Sequence, residues 1–144
     1  MPLLENRYRY ADLGLLVLRL GLGVMLVVHG YPKLMGGPEK WTALGGAMQS
    51  FGIDFAPTAW GLAAAVAETI GGQLLALGLL FRWACAALLL TMLVAAVSHL
   101  AAGEGFNAYS HALELGFVLL GLLLVGPGKY SADQQLFPPR RRLY

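Results

Sequence analysis

The chain has 144 residues, of which 58% are hydrophobic and 12% charged, and its net charge is +2. That balance lies outside the usual range of a soluble domain, and the small net charge points to no nucleic-acid partner. The length suits one domain, expected over residues 1–144.

Four apolar runs follow in chain order. Residues 13–28 are interrupted by Arg19 alone, and the run continues through His29 to Lys33 and Met35. It lacks the small-residue cleavage site of a signal peptide and is expected to be retained. Residues 58–81 are interrupted only by Glu68, residues 83–102 carry His99 near their end, and residues 108–125 carry His111 and Glu114 near their start. A helix needs about 20 residues to cross a hydrocarbon core of about 30 Å, so each run is long enough. Barrel strands would alternate polar with apolar residues, which these runs do not.

The expected fold is therefore all-α, an integral membrane four-helix bundle with helices at about 12–35, 58–81, 83–102 and 108–126. Between the first two, Gly36-Gly37-Pro38 reads as a break and a helix start. Trp41, Leu44, Met48 and Phe51 then recur at helical spacing. They predict a short amphipathic helix at about 38–52, lying on the outer membrane face across the mouth of the bundle. Residues 127–144 form a tail.

Arg7, Arg9, Arg82, Lys129, Arg140, Arg141 and Arg142 fall on one side of a four-crossing chain, and only Lys33 and Lys40 on the other. The positive-inside rule then puts both termini in the cytoplasm, in a multi-pass protein of the inner membrane. The basic tail reads as a topological or anionic-lipid anchor.

Counting about 1.5 Å per residue from the cytoplasmic ends puts Arg19 roughly 10 Å deep, Glu68 and Glu114 roughly 18 to 20 Å, and the three histidines roughly 22 to 26 Å. Arg19, Gly23, Gly30 and Lys33 share one helical face, with His29 about 80° away. Ala64, Glu68 and Gly72 share another, and His111, Glu114, Val118 and Gly121 a third. Unpaired charge is costly in hydrocarbon, so these faces are expected to look inward, with Arg19 and Glu68 as one coupled pair. Such a pair also serves simply to lock the bundle register, but two acids, two bases and three histidines together favour a site.

Three histidines at one level are a set that a transition metal or haem iron can use, yet no spacing such as H-x-x-x-H is present, and neither is expected. The single Cys85 excludes an internal dithiol relay and a disulfide framework. P-loop, Rossmann and G-x-S-x-G motifs are absent from the sequence.

The strings Leu18-Arg19-Leu20-Gly21, His29-Gly30-Tyr31-Pro32-Lys33-Leu34, Glu68-Thr69-Ile70-Gly71-Gly72 and Leu77-Gly78-Leu79, then His99, Glu114 and Gly126-Pro127-Gly128-Lys129-Tyr130-Ser131-x-Asp133, resemble the DoxX family of small four-helix membrane proteins. Named members of that family include the small subunit of an archaeal thiosulfate:quinone oxidoreductase. Relatives are associated with quinone or catechol detoxification, methylamine-dehydrogenase maturation and oxidative-stress complexes. The resemblance implies a small subunit or accessory factor of a quinone-linked redox system, with a redox partner protein and with self-association left open.

In that reading Glu114, His111, His29 and His99 move protons as the catalytic groups, while Arg19, Glu68 and Lys33 bind the substrate, a quinone. Two other readings stay open: a non-catalytic membrane anchor or assembly partner, and a small-solute or proton pathway through the same polar core.

Overall fold

A segment that crosses lipid must satisfy its own backbone hydrogen bonds, and each apolar run does so as a helix. In the computed structural model, which describes residues 10–137, the helices are α1 (Ala11–Leu34), α2 (Gly37–Gly45), α3 (Pro57–Leu77), α4 (Phe81–Ala101), α5 (Phe106–Val125) and α6 (Ala132–Leu136). A 3-10 helix, Gly46–Phe51, follows α2. Four of them, α1, α3, α4 and α5, are long and apolar enough to cross a membrane, and no strand occurs among the described residues. The fold is the expected all-α membrane bundle. Arg7, Arg9, Arg140, Arg141 and Arg142 lie outside the described residues.

α3 stops four residues before its expected end at 81 because Gly78 turns into the left-handed region at φ 66°, and Leu79 N–H closes on the Leu74 carbonyl. The turn to α4 is correspondingly tight. Its exposed amides are capped from far along the chain: the Asp133 carboxylate accepts from Leu80 N–H at 2.8 Å and Phe81 N–H at 2.9 Å.

On α1 the residues Arg19, Gly23, Leu26 and Gly30 are buried, and on α3 Gly61, Ala65, Glu68, Gly72 and Leu75. Both rows step by fours and threes, the spacing of two helices packed along a shallow seam. Gly23 lies against Gly72 and Ala76, and Gly30 against Glu68 and Thr69, so the backbones approach closely. α3 packs on α4 and α4 on α5, where Gly116 meets Leu89 and Met92. Leu26, Leu75, Phe81, Leu88, Leu119 and Leu122 fill the core.

The segment between α1 and α3 is helical but divided. The α-helix ends at Gly45, the chain tightens into the 3-10 helix, and Gly52 halts it at φ 73°. α2 packs on the first turns of α3, with Gly45 against the Pro57 carbonyl, Gly61 against the Trp41 carbonyl, and the Thr42 and Thr58 hydroxyls 2.6 Å apart. Two facing glycines let these backbones interlock, a gain that a flat membrane surface does not offer. The 3-10 helix continues to α4.

Candidate functional site

Lys33 and Glu68 form the one ion pair between spanning helices found among the described residues. The Lys33 ammonium donates to both Glu68 oxygens, at 2.7 and 2.6 Å, and Glu68 is buried while the Lys33 side chain stays one-third exposed. An ammonium has three donors, so one N–H is left for a ligand. The pair is held by its surroundings: Gly30 brings α1 onto Glu68, and the Trp41 indole N–H bonds the Lys33 and Leu34 carbonyls at 3.0 and 3.2 Å, closing the end of α1.

The expected Arg19–Glu68 pair does not form. Arg19 is fully buried, but it donates to the Ala76 carbonyl at 3.0 Å and to the Tyr130 carbonyl. Its Nε has no partner. The cause is register: with Gly23 opposite Gly72 and Ala76, about Leu20 faces Leu77, so roughly 14 Å of α1 runs past the end of α3. Arg19 therefore stands at the α3–α4 turn, not a third of the way through the bundle. There its charge meets the Ala76 carbonyl in the last turn of α3 and the Tyr130 carbonyl in the stretch before α6.

Along α1, α4 and α5 the same faces pass from buried to exposed. Lys33 follows Leu26 by seven residues, His99 follows Leu88 by eleven, and His111 precedes Leu122 by eleven, each about 20° from its partner around the helix. Leu26, Leu88 and Leu122 are buried, whereas Lys33 and His99 are partly exposed and His111 is exposed. Large buried side chains thus fill the end carrying the α3–α4 turn, and toward the other end the buried positions are taken by small residues such as Ala65, Ala96 and Ala112. The packing registers place Lys33, Glu68, Met92 and Glu114 at about the level where one gives way to the other.

The other candidates are more exposed. Glu114 on α5 and His29 on α1 are both exposed, and His99 Nδ1 pairs with Glu104 at 2.8 Å just beyond the end of α4. The inward orientation expected of the polar stripes holds for α1 and α3. On α5 it fails for Glu114, which lies about 80° from buried Leu122, because Ala112, Gly116 and Leu119 make the closer packing surface. The histidines do not share one environment, and no group of three His, Cys, Asp or Glu suited to a metal occurs among the described residues.

A separate groove of about 360 Å³, lined by Val24, Val28, Gln73 and Leu77, runs along the outer side of the α1–α3 seam. Val24 and Val28 lie about 100° to 140° from Gly23 in one direction and Lys33 about 80° in the other, so the groove does not reach the pair.

Sequence reasoning missed Trp41, Glu104 and Asp133 as partners. Glu104, five residues after His99, was a local signal, whereas Trp41 and Asp133 act across packing that no spacing reveals.

No match appears among curated proteins or solved structures. The DoxX family model matches residues 14–101, more than half the chain, and covers both halves of the Lys33–Glu68 pair. The chain belongs to the DoxX family.

Proposed function

We propose that this integral membrane protein is a small subunit or accessory factor of a quinone-linked redox system in the inner membrane, with both termini cytoplasmic, and that the quinone ring binds beside Lys33 and Glu68. The observation that carries this reading is a buried carboxylate on one spanning helix bonded to an ammonium on another that stays one-third exposed. Reducing a quinone to a quinol takes two electrons and two protons. The electrons come from a partner protein. Lys33 holds an anionic ring oxygen through its free N–H, and Glu114 with His111 one turn away exchanges protons. Arg19 is a positioning residue in this scheme, since it ties α1 to the end of α3 and to the stretch after α5, away from the Lys33–Glu68 pair.

Quinone binding to the purified protein in lipid nanodiscs, read by quenching of tryptophan fluorescence, tests the reading, because Trp41 is bonded to the Lys33 carbonyl. Lys33→Met is expected to weaken binding about tenfold, the loss of one charge-assisted hydrogen bond. Glu114→Gln keeps shape but removes the proton, so it should lower turnover of the assembled system more than protein abundance. Unchanged binding and turnover in both folded variants would overturn the proposal and favour an anchoring role.

A further inference from the structure

A polar side chain on a spanning helix needs a hydrogen-bond partner, because lipid tails supply none. The Thr69 and Thr91 hydroxyls find theirs one turn back, donating to the Ala65 and Ala87 carbonyls at 2.8 and 3.0 Å. Gln73 on α3 does not. It is exposed, and its amide, with two N–H donors and a carbonyl, makes no hydrogen bond among the described residues.

Gln73 lines the groove of about 360 Å³ on the outer side of the α1–α3 seam, between the exposed apolar side chains of Val24, Val28 and Leu77 and over the small residues Gly23 and Ala76. Val24 stands eleven residues, about 16 Å, from Leu13, where the apolar run of α1 begins, and exposed Val17 and Leu20 keep that surface apolar in between. Lipid headgroups at that end lie beyond the reach of a glutamine. An acyl chain fills the groove but leaves the amide unpaired.

A second copy of the chain does both. A side-chain amide is its own complement, since the N–H of each can donate to the carbonyl of the other. Two copies inserted the same way round and related by a two-fold axis along the membrane normal carry Gln73 at the same depth, and the hollow over Gly23 and Ala76 has room for an apolar side chain of the opposing copy. Val66 and Ile70 extend the same exposed face of α3.

We propose that the α1–α3 groove is a self-association surface, on which two copies meet about a two-fold axis with their Gln73 amides bonded to each other. It stands apart from the Lys33–Glu68 pair and needs no quinone.

Förster transfer between copies labelled at the amino terminus, in phosphatidylcholine vesicles at a series of protein-to-lipid ratios, measures the association. Gln73→Leu should raise the dissociation constant about tenfold while melting no lower than wild type in dilute detergent, because it removes only a group that has no partner within the chain. Under mild oxidation Leu77→Cys, one turn from Gln73, should give a covalent dimer, and Leu124→Cys, on the 70% exposed outer face of α5, should not. The native Cys85 is buried and stays out of this reaction.

A wild-type chain that remains monomeric at every ratio overturns the proposal. So does association that Gln73→Leu leaves unchanged, or cross-linking through Leu124→Cys in place of Leu77→Cys. A lower melting temperature in Gln73→Leu would put the partner of the amide inside the chain and overturn it as well.

Discussion

Two basic residues on one face of α1 do different work because they stand at different helix ends. Lys33 is paired with a carboxylate, whereas Arg19 is paired with the Ala76 carbonyl, eight residues after Glu68 on α3, and with the Tyr130 carbonyl. Removing one member of a buried pair strands the other, so Lys33→Met and Glu68→Gln should be non-additive, with a coupling of about 1 to 3 kcal/mol after allowance for the exposed part of Lys33. Arg19→Met should cost about 2 to 4 kcal/mol by itself and add simply to Glu68→Gln, since the two share no partner. Thermal melting of the singles and doubles in detergent distinguishes these outcomes. Coupling between Arg19 and Glu68 would contradict the geometry. From the sequence, the presence of buried charge was legible but its pairing was not, because depth counted from the start of an apolar run misses how far one helix overhangs its neighbour.

At the scale of the element, the four spans were legible to within a few residues because lipid leaves a long apolar run no other backbone solution. Which face of each helix looks inward was harder to read. In water the apolar face marks the core, but lipid is as apolar as the core, and that signal fades. α1 and α3 kept a readable code, small residues at fours and threes, whereas α5 offers Gly116 to α4 and turns Glu114 to the flank. The placement of α2 depends on the same chemistry. Gly45 and Gly61 face backbone carbonyls, and a methyl group at Gly61 would overlap the Trp41 carbonyl. Gly61→Ala should therefore cost about 3 kcal/mol or more and loosen Trp41 from the end of α1. A red shift of tryptophan emission together with a lowered melting temperature is the expected result.

Across the whole molecule, the segment after α5 completes what the four spans leave undone. Asp12 accepts from the Lys129 N–H at 2.8 Å, the Tyr130 carbonyl receives Arg19, the Asp133 N–H bonds the Gly78 carbonyl at 2.9 Å, and Asp133 caps α4. The first three spans, α1, α3 and α4, are tied at one end by a stretch that lies beyond the family-matched residues. The Gly126–Asp133 string was visible in the sequence, but its use was not, since each bond spans 52 or more positions. If both termini are cytoplasmic, a cysteine placed at Lys40 should react with an impermeant thiol reagent in intact cells and one at Lys129 should not. Truncation after Pro127 should leave Arg19 short of a carbonyl and the start of α4 uncapped. The expected consequence is a melting temperature lower by several degrees and faster amide exchange at Leu80 and Phe81. Asp133→Ala alone should reproduce the exchange at Leu80 and Phe81 at a cost of about 1 to 2 kcal/mol while leaving Arg19 in place. Equal melting of the truncated and full chains would mean that the spans hold their end together without this tie.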